Sequence, residues 1–230
     1  MSEPGSRRGR AHDAEGAREA ILNAAEEVFA EHGFDGARVD AIADKAGYNK
    51  SLIFQYFGDK LNLYAEVLKR ADRRGRGLQT HVFGPLLADE TIVIDAWKFR
   101  TFLQTAAQAI VAYLVENPRI VRIFLWEQAE GWQTYTKIAS RLDTDDIAQF
   151  EEVFARARRA GLLRSDCDPL VLMMMAMQMA MSYLASGPLY QTMMLPGRDA
   201  TTPGILEQGR ELVIEFILNG ILRDPPQAKP

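Results

Sequence analysis

Cysteine is nearly absent: Cys167 is the only one in 230 residues. A single thiol excludes an internal disulfide and a cysteine-based zinc cluster, and it fits a reducing interior. Cys167 sits between Asp166 and Asp168, whose charges disfavour a reactive thiolate. Histidine is scarce too, limited to His12, His32 and His81. None has a carboxylate three residues before it, as a di-iron Glu-x-x-His pair requires, and no His-Glu-x-x-His motif occurs. Gly75-Arg76-Gly77 follows no strand, which excludes a dinucleotide-binding turn. These absences point away from an enzyme and leave no catalytic residue, metal site or cofactor to assign.

Long hydrophobic runs are missing. Leu170–Ala185 approaches a membrane span, but Gln178 and Ser182 interrupt it and it falls short of the roughly 20 residues needed. A helix buried on all sides fits it better. Residues Met1–Arg10 are polar and basic, without the apolar centre of a signal peptide. The expected location is therefore cytoplasmic and nucleoid-associated, with no membrane partner. Positive charge is not in excess either: 27 Lys and Arg against 31 Asp and Glu leave a net −4. A generally basic coat is excluded, so any contact with nucleic acid must come from a local patch.

What is present is helical spacing, with 47% apolar residues, enough for a real core. Ile21, Ala25, Val28 and Phe29 mark one face of a first helix, expected from Asp13 to a stop at His32-Gly33. Val39, Ile42, Ala43 and Ala46 form a second, short stripe ended by Gly47. Asn49 suits the cap of a third helix carrying Ile53 and Phe57, and Gly58-Asp59 ends it and caps a fourth. Longer helices are expected over Ile92–Glu116, Pro118–Glu130, Trp132–Ala160, Pro169–Ser186 and Pro203–Leu222. Pro118, Pro169 and Pro203 suit first helical turns. Gly187–Pro203 reads as a loop. The fold class is all-α with about nine helices: a basic disordered arm over 1–12, a helix-turn-helix unit over 13–60, a helical bundle over 61–223 and a frayed tail over 224–230.

The second and third helices, joined at Ala46-Gly47-Tyr48, have the helix-turn-helix form that lays its second helix in a major groove. Residues 45–76 carry Lys45, Lys50, Lys60, Lys69, Arg70, Arg73, Arg74 and Arg76 against Asp59, Glu66 and Asp72, a local excess expected to face phosphate. Burial accounts for Ile53 and Phe57 and leaves Lys50, Gln55 and Tyr56 free.

These residues resemble the tetracycline-repressor (TetR) family of bacterial transcriptional regulators. The resemblance runs through Ile21-Leu22 and Ala25, Phe29-Ala30-Glu31-His32-Gly33-Phe34 with Gly36, and Val39-Asp40-Ala41-Ile42-Ala43. It continues through Ala46-Gly47, Asn49-Lys50, Ile53-Phe54-Gln55-Tyr56-Phe57, Lys60 and Leu63. It implies base-facing positions at Lys50, Ser51, Leu52 and Phe54, a base or phosphate contact from Gln55, and phosphate contacts from Tyr56 and Lys60 beside Asn49. Lys50 suits guanine O6/N7, while Leu52 and Phe54 suit thymine methyls. The family has hydroxyl residues before Val39, where this chain has Ala37 and Arg38. The helix cap is thereby lost, and Arg38 offers a charged phosphate contact instead. The arm Arg7, Arg8 and Arg10 reads as a solvated tail, with a flanking minor groove as its alternative use.

The resemblance further implies a homodimer on a palindromic double-stranded DNA operator, closed through the last two long helices, and a small-molecule effector in the C-terminal bundle. Met173, Met174, Met175, Met177, Met179 and Met181 point all round one helix and suit core, dimer-interface and pocket packing for a largely apolar effector. Phe102, Trp126, Met177 and Gln178 are the pocket candidates; Glu127 and Glu130 are expected to face water. The expected function is a repressor released from its operator by that ligand. The rivals are a ligand-independent DNA-binding adaptor on the same fold and a helical enzyme or carrier.

Overall fold

The computed structural model describes residues 5–78, 90–142, 145–164, 166, 168–194 and 203–222. His81, Cys167 and the tail 224–230 lie outside them, as do the side chains of Arg7, Arg8, Arg10 and Arg76. The helices are α1 Gly5–Gly36, α2 Val39–Ala46, α3 Lys50–Phe57, α4 Lys60–Leu78, α5 Ala96–Glu116 and α6 Pro118–Ala129. They continue as α7 Gln133–Ile138, α8 Asp145–Arg159, α9 Pro169–Ala185, α10 Gly187–Leu189 and α11 Pro203–Ile221. The all-α expectation holds, with more helices than the nine counted from sequence. Pro118, Pro169 and Pro203 each open a helix as their fixed φ allows. Among the described residues no helix is long and apolar enough to cross a membrane.

Several expectations change. The backbone of α1 is already helical at Gly5, so the helix starts upstream of the expected Asp13. Arg and Ala are strong helix formers, and extending a formed helix costs far less than nucleating one. The single helix expected over Trp132–Ala160 is α7, a 3-10 turn Ala139–Arg141, and α8. Leu142 is extended (φ −87°, ψ 149°), which ends the 3-10 turn before α8 begins. The Gly187–Pro203 loop is in part helical: α10 passes into a π-helical segment Tyr190–Met194, with Pro188 in the first turn where its missing N–H is tolerated.

The chain divides into two compact units, one comprising residues up to Arg74 with Pro118–Asp143, the other Gly75–Asn117 with Thr144 onward. In the first, α1 is the central element. Its Ile21, Leu22, Ala25, Val28 and Phe29 are buried with Ile42, Ile53, Phe57, Leu63, Val67, Ile120 and Ile123 in one cluster. This unit exceeds the expected 13–60 because α6 packs along α1 beside α2. Gly33, at φ 67°, breaks α1 where the sequence placed its stop. A Cβ there would approach the Trp126 ring to 3.2 Å, so the bare glycine also admits α6.

The buried charged side chains of this unit are hydrogen-bonded, although the Arg70 Nε has no partner among the described residues. Arg70, 6% exposed, donates to the Leu22 carbonyl (3.1 Å), Asn23 (2.8 Å), Glu19 (3.3 Å) and the buried Glu26. Glu127, expected at the surface, is 2% exposed: the Tyr64 hydroxyl donates to it at 2.6 Å and the Tyr135 N–H at 3.0 Å. Those two donors are what make its burial tolerable.

In the second unit α5 packs with α9 and α11 and with a 3-10 turn Glu90–Val93. Asp95 caps α5, accepting from Trp97 N (2.9 Å) and Lys98 N (3.0 Å), which sets its start after the expected Ile92. Phe99, Phe102, Leu103, Phe154, Met181 and Leu218 are buried here. Gly209 lets α11 lie against Tyr183, whose ring would collide with a Cβ at that position.

Candidate nucleic-acid interface

Helix α2 has no side-chain cap, because Arg38 occupies the capping position with its side chain exposed. The helix ends at Gly47 in the left-handed region (φ 74°), whose N–H reaches the Ala43 and Asp44 carbonyls. That turn leads into Asn49, whose side chain accepts from Leu52 N at 2.8 Å and starts α3. Gly58 (φ 79°) closes α3, and Asp59 caps α4 through Asn62 N at 2.7 Å. Each of these punctuation marks falls where the sequence reading put it.

Helix α3 buries Ile53 and Phe57 and leaves Ser51, Phe54 and Gln55 exposed. Phe54 is 40% exposed, an aromatic surface no core contact explains. Leu52 and Tyr56 are half-buried against the core, so each presents an edge rather than a whole side chain. Lys50 reaches back to Asp40 of α2 at 3.0 Å, an exposed pair that a DNA base or phosphate can displace. Lys60 lies over the Phe34 ring (4.6 Å) and donates to the Asp35 carbonyl at 3.3 Å. Burial holds its ammonium below the ordinary lysine range, against the opposing charges of Asp35 and Glu130. Tyr48, 38% exposed in the turn, is a candidate contact the sequence reading passed over; an aromatic in a tight turn was its signal.

The positive stretch 45–76 faces phosphate less than its charge count suggests. Lys45 is paired with Glu27 and Glu31, Lys69 with Glu66, Arg70 with Glu19 and Glu26, and Arg74 with Glu26. The Lys45 hydrogen bond outweighs burial and keeps Glu27 below the usual carboxylate range. A window of sequence counts charges without the acidic face of α1 that lies across from them. Among the described residues, Arg38, Lys50, Lys60 and Arg73 remain as cations without a buried ion pair.

The second unit holds an apolar cavity of about 70 Å³ lined by Phe102, Ala106, Phe154, Met173, Met177 and Ile217, among others. It brings together Phe102 and Met177 of the four pocket candidates. Trp126 belongs to the first unit, where its indole N–H donates to the Ala30 carbonyl at 3.3 Å. Gln178 does not line the cavity; its Oε1 is buried without a hydrogen-bond partner among the described residues. Among the described residues no group of three or more His, Cys, Asp or Glu is placed to hold a metal ion.

The family model described as bacterial regulatory proteins of the tetR family matches residues 21–67, and a tetracyclin repressor-like C-terminal domain matches 100–217. The chain is 33% identical over 120 residues to the HTH-type transcriptional repressor SCO4008 of Streptomyces coelicolor, covering 52% of this chain and 54% of that one. It thus spans about half the length of that relative. It is 30% identical over 170 residues to the HTH-type transcriptional repressor BepR of Brucella suis, covering 70% of this chain and 74% of BepR. The fold is similar to that of the TetR-family transcriptional regulator HI0893 of Haemophilus influenzae, with a TM-score of 0.56 at 20% identity, covering 90% of this chain and 99% of that one. On the two domain matches and the BepR similarity, the chain belongs to the tetR family of bacterial regulatory proteins.

Proposed function

We propose that the protein is a one-component transcriptional repressor that binds a palindromic operator as a homodimer and leaves it when a small apolar molecule binds its second unit. The observation that carries the reading is α3 itself, capped at Asn49, anchored by Ile53 and Phe57, and presenting Lys50, Ser51, Phe54 and Gln55 outward. Lys50 and Gln55 offer hydrogen bonds to base edges and Phe54 an apolar surface for thymine methyls. Arg38, Tyr56 and Lys60 set register on phosphate; Lys60 must leave the Phe34 ring to do so. Repression is supported by the two relatives, each an HTH-type transcriptional repressor.

Dimerisation is supported by an apolar surface on the two helices the resemblance assigns to it. On α9, Val171, Met174 and Met175 are 53%, 65% and 62% exposed, and on α11, Leu212 and Phe216 are 59% and 68% exposed. These positions recur at helical spacing, and a contiguous apolar patch of this kind marks an interaction surface. The effector reading is supported by the cavity, whose lining among the described residues is entirely apolar. At about 70 Å³ it is smaller than ligand pockets of about 300–1,000 Å³, so an effector must displace Met173 and Met177, the most adaptable side chains in its wall. Such a ligand releases DNA only by binding more tightly to the non-reading arrangement.

The test is fluorescence anisotropy of the purified protein on DNA flanking its own gene, across a salt series, with random duplex as competitor. Tight binding that resists the competitor is expected. Failure to bind either duplex at low salt overturns the regulator reading in favour of a helical enzyme or carrier.

A further inference from the structure

Beside α3 the first unit opens a groove of about 330 Å³ lined by Arg18, Tyr56, Asn62, Glu66, Lys69 and Arg141, with Phe57 and Ala65. Its cations come from three separate elements: Arg18 from α1, Lys69 from α4 and Arg141 from the 3-10 turn Ala139–Arg141. They meet one carboxylate. Arg18 donates to one Glu66 oxygen at 2.6 Å and Lys69 to the other at 3.1 Å. The Glu19 carboxylate stands 3.8 Å from Arg18 on the rim. Arg141 donates to the side-chain Oδ1 of Asn62 and has no carboxylate partner among the described residues. Three cations thus share one full negative charge inside the groove. Burial would raise Glu66, yet the hydrogen bonds and charges of Lys69 and Arg18 hold it below the usual carboxylate range, so it stays ionised and the excess stays positive.

We propose that this groove is a phosphate-binding site distinct from the base-reading face of α3, in which Arg141, Lys69 and Arg18 take the charged oxygens and Tyr56 donates a hydroxyl. Guanidinium forks match phosphate oxygens in pairs, and a group with more than one negative charge neutralises the excess that Glu66 leaves. Tyr56 and Asn62 place the groove at the junction of α3 and α4, so a DNA backbone phosphate outside the base contacts can occupy it. A free phosphate monoester or diphosphate offers the same oxygens with more than one negative charge, where a backbone phosphodiester carries one. The DNA form of the proposal rests on the proposed function; the free form does not.

Two arms separate the sources. In the first, binding to random duplex is followed against salt for the wild type and Arg141→Gln. Arg141 is exposed and among the described residues bonds only Asn62, so its loss spares the core. If DNA fills the groove, the log–log salt slope falls by about 0.9 for each copy bound. In the second, pyrophosphate is titrated at constant ionic strength and read as thermal stabilisation. Wild type saturates, Arg141→Gln weakens the apparent affinity about tenfold through loss of a charge-assisted hydrogen bond, and Glu66→Gln strengthens it. A changed slope assigns the groove to DNA; an unchanged slope with saturable pyrophosphate binding assigns it to a free phosphate-bearing molecule. An unchanged slope with no saturable binding overturns the proposal. Should wild type bind no duplex, the regulator reading fails and the pyrophosphate arm alone decides the groove.

Discussion

Arg70→Leu should be among the most damaging single changes in the DNA-reading unit, although sequence alone marks Arg70 as one more surface cation. Arg70 is 6% exposed, and its guanidinium ties α4 to α1 through Glu26, Asn23, Glu19 and the Leu22 carbonyl. Leucine of similar volume keeps the packing but leaves Glu26, 7% exposed, as a buried carboxylate. Breaking a buried pair from one side costs about 3–5 kcal/mol. Arg74 remains 3.4 Å from Glu26, which puts the expected loss at the lower end, about 3 kcal/mol. For a chain of this size that lowers Tm by roughly 6–12 °C. The assay is a circular-dichroism melt with a urea titration, in which the midpoint falls while the slope is unchanged. Glu26→Leu on top of Arg70→Leu should recover most of the loss, since the cost lies in the orphaned charge. A single variant within about 1 kcal/mol of wild type, or a double variant worse than the single, refutes the reasoning.

Tyr64→Phe leaves Glu127 with only the Tyr135 N–H and should cost about 1.5–3 kcal/mol, read in the same melts. Burial first, then the hydrogen bond to Glu127, pushes the Tyr64 phenol above its ordinary pKa of 10.0, so the fold favours the neutral phenol. That contribution is complete below about pH 10 and is lost as pH rises beyond it; wild type should therefore lose stability more steeply in alkali than Tyr64→Phe, and parallel curves would sink the idea. Lys50→Ala should cost about 1–3 kcal/mol on the preferred operator and relax one base position, while Lys60→Ala weakens all duplexes alike and flattens the salt slope by about one phosphate. Equal losses on operator and random DNA for both variants would contradict that division. Gly209→Ala should destabilise the second unit by about 1–3 kcal/mol by driving a methyl into the Tyr183 ring, and unchanged urea midpoints would show that the ring can yield.

The reading helix was legible in advance because its signals are local. A capping Asn49, glycines at 47 and 58 needed for positive φ, and Ile53 and Phe57 one helical turn apart all act within a few residues of themselves. Helix starts at Pro118, Pro169 and Pro203 were legible for the same reason. The break inside 132–160 was not, since the residues that favour it also tolerate a helix. Of the pocket candidates, Phe102 and Met177 line one cavity, whereas Trp126 sits against Gly33 in the other unit; hydrophobic character carries no address.

Sequence by itself determined the helical class, the helix-turn-helix with its caps and the family resemblance, because each depends on residue type at short spacing, and its single cysteine excludes an internal disulfide. Tertiary structure alone decided which charges are free. Whether Arg70 meets phosphate or Glu26, whether Glu127 meets water or Tyr64, and whether Arg141 stands beside Arg18 and Lys69 depend on groups far apart in the chain. The energy of a charge is set by the neighbours and the solvent that folding brings to it, and a one-dimensional count contains neither.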